Sequence, residues 1–256
     1  MGNLVDSVFN LSIAPMFRID APASNPLIIS EYKNTIMKKF NFGSTSLWNS
    51  VLLISVIFTA FVVPVLSVHL HSGAFNLAYT VIYISAIFSL KKRSKAIVIL
   101  FFTTFIMQWI SAIFKLELLN DVSKGLNSLF FIVVVVALIL QIASAKEVSL
   151  TVILDSIAGY LLIGIVYSIF IFFIIRNVPD AYSNQMGDVA VDGNINASPP
   201  LYFSFVTIAS LGYGDIVPLK PISRSLATLI AITGQFYMAI IVAMLIGKFI
   251  SQRGSE

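Results

Sequence analysis

Six apolar runs punctuate the chain, at residues 47–69, 74–90, 96–114, 126–145, 148–175 and 225–250. Crossing a bilayer takes roughly 20 mostly apolar residues in a helix, so each run predicts one transmembrane helix. The second is short and can borrow residues from its flanks; the fifth is long enough for its first turns to lie along the inner surface. Polar positions crowd into the gaps. The gap RNVPDAYSNQMGDVAVDGNINASPP, at 176–200, is rich in Asn, Asp, Gly and Pro and predicts an exposed loop. It leads into LYFSFVTIAS, apolar but only about ten residues long, too short to cross. Ser198 and Pro199 offer an N-cap and a proline at the first helical position. This piece therefore predicts a re-entrant helix that enters the membrane and stops. Ahead of the first run, LIISEYKNTIMKKF at 27–40 reads as an interfacial amphipathic helix or as a flexible basic arm.

Composition agrees with a bilayer: 58% of residues are hydrophobic and 11% charged, with a mean hydropathy of +0.94, against about 25% charged in soluble domains. The expected fold class is an all-α membrane protein with six transmembrane helices and a re-entrant helix between the fifth and sixth. The net charge of +4 does not mark a nucleic-acid surface, because the basic residues sit at the ends of apolar runs. They act instead as topology signals. With the N-terminus cytoplasmic, eleven Lys and Arg fall in inner segments and five in outer ones. The positive-inside rule then puts both termini in the cytoplasm, in the plasma (inner) membrane, with Trp48 at an inner boundary and Trp109 near an outer one. The absence of cysteine excludes disulfides, thiol catalysis and thiolate metal sites. The N-terminus lacks the pattern of a secretory signal or a myristoylation site. No cofactor is expected, and no acid, histidine and nucleophile converge, so an enzyme is not expected.

The stretch SLGYGDIVP, at 210–218, follows the short helix directly. Non-helical backbone at membrane depth is tolerated only where protein buries it or where it lines an aqueous path. Gly212 and Gly214 open backbone conformations closed to other residues. Consecutive carbonyls can then turn toward one axis and replace the water around a dehydrated cation. Elsewhere the same tripeptide would be a tight turn; its place after a capped short helix carries the reading.

Ser210, Leu211, Gly212, Tyr213, Gly214 and Asp215 resemble the potassium-channel pore signature, TVGYG followed by an acid. Together with the final helix TGQFYMAIIVAMLIGKF, TIASLGYGDIVP is similar to prokaryotic members of the voltage-gated-like, six-transmembrane potassium-channel superfamily, over roughly residues 150–250. The resemblance implies a potassium-selective channel that conducts passively through a homotetrameric pore among membrane lipids. K+ ions would be held by the carbonyls of Ser210, Leu211, Gly212 and Tyr213, with Asp215 at the outer mouth. Gly234 is implied as a gating hinge, or as a site of close helix packing. Ile240 and Met244 are implied as an inner apolar gate, or as packing residues. The domains expected are a cytoplasmic segment at 1–46, a four-helix voltage-sensor-like domain at 47–145 and a pore domain at 146–256. Two positions depart from the signature. Ser210 keeps the hydroxyl of the usual threonine and loses its methyl, and Leu211 replaces the usual valine or isoleucine.

The fourth run, LNSLFFIVVVVALILQIASA, carries no charge. A sensor helix needs spaced arginines, each worth about 2.3 kcal/mol per 100 mV, so little or no voltage dependence is expected. Asp155 reads either as a functional intramembrane acid or as a residue of the inner interface. His69 and His71 read as pH sensors or as solvated loop residues, and Asn196-Ala197-Ser198 fits a glycosylation sequon. The alternatives left open are a nonselective cation channel and a nonconducting, channel-like assembly subunit.

Overall fold

The computed structural model describes residues 44–66, 68–91, 94–114, 117–183, 190–191, 194–195 and 198–253. The segment at 27–40, Asn196 and Ala197 of the sequon, and the side chains of His69 and His71 lie outside that description.

Helix α1 (Ser44–Ile57) runs on into a wide π turn (Phe58–Val62) and a tight 3-10 turn (Val63–Val65). Pro64 lacks an N–H and its ring crowds the preceding turn, which accounts for the uneven end. Next come α2 (Val68–Ser89), α3 (Lys95–Phe114), α4 (Glu117–Ser144) and α5 (Leu150–Asn177). The gap after α5 carries a short antiparallel pair, β1 (Ala190–Val191) with β2 (Asn194–Ile195). The chain continues as α6 (Ser198–Ile208) and α7 (Pro221–Arg253). Helix starts follow local chemistry. The Ser94 hydroxyl accepts the Ile97 N–H at 3.3 Å ahead of α3. At α7, Pro221 takes the first helical position and the Ser223 hydroxyl accepts the Lys220 N–H at 3.1 Å.

Among the described residues, 5 helices are long and apolar enough to cross a membrane, and Gly73–Ser89 in α2 is a shorter apolar helix. The protein is therefore an integral membrane protein, and the run expected to be short is the one that falls below the length test. Helix α4 begins at Glu117, well ahead of the apolar run. Asp121 and Lys124 thereby join the helix, where Arg176 of α5 pairs with Asp121 at 2.7 Å and the Lys124 ammonium lies 3.8 Å from the centre of the Phe172 ring.

The core between α1, α2 and α4 is aromatic and aliphatic. Tyr83 meets Phe130 edge-on at 5.0 Å and Phe131 at 5.6 Å, beside the fully buried Leu52, Ile82, Leu138 and Ile142. Helix α5 packs against α1 and α4 of the same chain as well as against α6 and α7. Near its N-terminal end Asp155 is 1% exposed. Three helices supply its donors: Asn49 Nδ2 at 2.6 Å, Gln141 Nε2 at 2.7 Å and Ser89 Oγ at 3.5 Å. The acid that the sequence left between two readings is thus buried inside the bundle, where donors offset the cost of removing it from water. Nearby, the Lys248 ammonium of α7 donates to the carbonyls of Ile142, Ala143 and Ala145. A cation there meets the negative end of the α4 dipole.

Candidate functional site

Helix α6 is short because its C-terminus closes on itself. The Ser210 N–H donates to the Thr207 carbonyl and the Leu211 N–H to the Val206 carbonyl, both at 2.9 Å. This is the Schellman pattern, which requires a left-handed residue just past the helix. Ser210 takes that role with φ of 56°. Helix α5 fixes α6 from behind. The Ser204 hydroxyl donates to the Gly164 carbonyl at 2.6 Å, and the Tyr160 hydroxyl donates to the Ile208 carbonyl at 3.2 Å.

Beyond α6 the backbone alternates in hand. Ser210, Gly212 and Gly214 have φ of 56°, 55° and 79°, whereas Leu211 and Tyr213 do not enter the positive-φ region. Such alternation in the sign of φ allows successive N–H groups to share one side of the chain and the carbonyls the other. The loop from Ser210 to Asp215 is exposed in the single chain, with Leu211 57% and Tyr213 67% accessible.

The loop is held at both ends. At its C-terminal end Asp215 Oδ2 accepts the Tyr202 hydroxyl at 2.6 Å, and that hydrogen bond holds the Asp215 carboxyl below its ordinary range. The following residues are tied to the end of α5. The Leu219 N–H donates to the Ala181 carbonyl and the Ser183 N–H to the Val217 carbonyl, both at 2.9 Å. The Ser223 hydroxyl donates to the same Ala181 carbonyl at 2.7 Å, and the buried Tyr182 ring meets Phe203 edge-on at 5.2 Å.

At the Ser210 end of the loop, three consecutive residues of α7 meet three different elements. Thr233 Oγ1 and Tyr167 Oη of α5 lie 2.8 Å apart in a hydrogen bond. Gly234 abuts the last carbonyl of α6, so that a Cβ there would overlap the Ile208 oxygen and stand 2.7 Å from Ile208 Cγ1. Gln235 Nε2 donates to Ser210 Oγ at 2.8 Å. Further along α7, Ile240 is 55% exposed and Met244 packs partly against the core.

The sequence reading named the loop, Asp215, Gly234, Ile240 and Met244; it did not name Tyr202 or Gln235. Gln235 had a visible signal, because between 229 and 247 it is the one side-chain amide in an otherwise mostly apolar stretch. Tyr202 had none, since an aromatic residue in a short apolar helix looks like any packing residue.

Residues 158–251 match the model of a family described as ion channel. That stretch holds most of α5, all of α6, the alternating loop and α7 to Ser251. Comparison with curated proteins and with solved structures finds no match. The matched region supports an ion channel, and it points to a protein that is not an enzyme.

Proposed function

We propose that the protein is a potassium-selective channel that conducts passively through a homotetrameric pore, with little or no voltage gating. The observation that carries this reading is the alternation of backbone hand at Ser210, Gly212 and Gly214 in SLGYG. It offers a row of carbonyls that can stand in for the hydration shell of K+. Four copies around an axis would give the filter, with ions at the carbonyls of Ser210, Leu211, Gly212 and Tyr213, and the exposure of these residues in one chain leaves them free to line a shared path.

Helix α6 is the pore helix in this reading. Its C-terminal end carries about half a negative charge and would favour a cation at the inner entrance, as the ionised Asp215 would at the outer mouth. Residues 146–256 form the pore domain and 47–145 a sensor-like domain. The count of spans is six once α2 is included, with both termini cytoplasmic in the plasma membrane and lipid around the apolar faces. Between Lys124 and Lys146 no residue of α4 is charged, so a gating-charge array is missing.

Reconstitution into planar bilayers under a potassium gradient tests selectivity. The reversal potential is expected to follow potassium and to ignore sodium; one that follows both makes the pore nonselective. A lack of current from pure protein that appears only with a second pore-bearing chain would instead favour an assembly subunit. A conductance that rises steeply with voltage, with several gating charges, would refute the silent α4.

A further inference from the structure

Gln235 lies directly inside the loop, and its amide touches the one aliphatic hydroxyl of the filter sequence, that of Ser210. A serine hydroxyl has two lone pairs and one hydrogen. The Gln235 N–H occupies one lone pair at 2.8 Å, leaving the second free to face a cation. Threonine would not need this help, because its branched Cβ is stiff at χ1; serine lacks the methyl and turns freely. Ser210 also sits at φ of 56° just past the end of α6, so its own helix does not restrain the side chain. The backbone position of Gln235 is fixed by its neighbours: Thr233 is tied to Tyr167, and Gly234 is pressed against the Ile208 carbonyl. The amide is thus presented from a rigid site rather than from a free surface. The exposed residues of α7 nearest to Gln235, Ile232, Phe236, Met238, Ile240 and Val242, are apolar and offer no substitute donor.

We propose that Gln235 is a positioning residue for cation binding, fixing the Ser210 hydroxyl in place of the missing threonine methyl and so setting how tightly the innermost site of the pore holds its ion. The proposal rests on the channel reading above. Its ligand is a dehydrated cation of potassium's size, and the second lone pair of Ser210 Oγ is the atom that Gln235 makes available.

The test uses full-length protein in planar bilayers, with barium added on the inner side as a slow-leaving cation of potassium's size. Gln235→Met keeps the length of the side chain and removes the donor. It is expected to weaken inner barium block at least about fivefold, the worth of one neutral hydrogen bond. Adding Ser210→Thr to Gln235→Met is expected to restore block to within about twofold of wild type, because the methyl again stiffens χ1. If Gln235→Met fails to assemble as judged by size exclusion, the milder Gln235→Asn, whose shorter amide does not reach, takes its place. Barium block unchanged in the single variant, or weakened but not rescued by threonine, overturns the assignment while leaving the channel intact. A wild type that passes no potassium overturns both.

Discussion

Replacing Gly234 by alanine separates two readings of that residue, a hinge and a place of close approach. A Cβ at this position would overlap the Ile208 carbonyl oxygen and lie 2.7 Å from Ile208 Cγ1. Restoring ordinary contact at about 3.5 Å means moving α7 and α6 apart by roughly 1 Å. Such overpacking typically costs about 2 kcal/mol. The shift also strains two neighbouring hydrogen bonds, Tyr167 with Thr233 and Gln235 with Ser210, each 2.8 Å and each worth about 1 kcal/mol. Against this stands the gain of about 1 kcal/mol from alanine over glycine in a helix. The net expectation is a loss of up to about 3 kcal/mol per chain from these terms. Gly125→Ala is the control, since nothing lies within 4 Å of its added Cβ and only the helical gain of up to about 1 kcal/mol remains. Thermal melting of the detergent-solubilised protein should show Gly234→Ala below wild type and Gly125→Ala at or above it. The reasoning is refuted if Gly234→Ala melts at or above wild type and changes only the open probability of the channel, which is the hinge outcome.

Three further outcomes follow from the same geometry. Asp155→Ala strands the donors of Asn49, Gln141 and Ser89 in the bundle and should cost about 3 kcal/mol in melting experiments, each buried unsatisfied group being worth about 1–3; an unchanged melting point would show that the hub contributes nothing. Asp215 is held below its ordinary range by Tyr202. A folded value below the unfolded one places the stabilised, charged state above the unfolded value, and it is lost only as pH falls through the lower folded value. Currents at low ionic strength should therefore stay level from neutral pH down to about 3.9, the ordinary aspartate value, and Tyr202→Phe should move the fall to higher pH; a midpoint indifferent to that substitution contradicts the assignment. Gly212→Ala places a side chain at φ of 55°, a conformation costing roughly 1–2 kcal/mol per residue, and should reduce potassium current in assembled protein, with unchanged current as the contrary result.

What could be read from the sequence and what could not divides along physical lines. The apolar runs became helices because bilayer crossing demands length and hydropathy, which are sums over neighbours in the chain. SLGYG was legible because glycine at 212 and 214 leaves few explanations other than positive φ, and both residues adopt it. The left-handed Ser210 was not legible, because it comes from the way α6 ends rather than from serine itself. The start of α4 at Glu117 was missed for a related reason: charges at 117, 121 and 124 interrupt the apolar count, yet Asp121 and Lys124 are matched by Arg176 and Phe172 of another helix. Asp155 illustrates the general difficulty. Its burial depends on Asn49 and Gln141, which are 106 and 14 residues away, and no local pattern announces partners at such distances.

The contacts of α7 constrain how any opening can proceed. Thr233, Gly234 and Gln235 bind it to α5, α6 and the loop, and the Tyr237 hydroxyl donates to the Ser156 carbonyl at 2.7 Å one turn further in. Bending at Gly234 would therefore act on the Ser210 hydroxyl directly, and a hinge there would not be independent of the loop from Ser210 to Asp215. Beyond Tyr237 the restraints thin out to the buried Ile241: Ile240 is exposed, Met244 packs only partly, and nothing lies within 4 Å of an added Cβ at Gly247. Lys248 then ties the helix to the end of α4. The segment with fewest packing restraints lies between these two anchors. If α7 moves, the least costly motion leaves the residues at 233–235 in place and displaces the part that ends at Lys248, so that the link to α4, rather than a bend at Gly234, resists it.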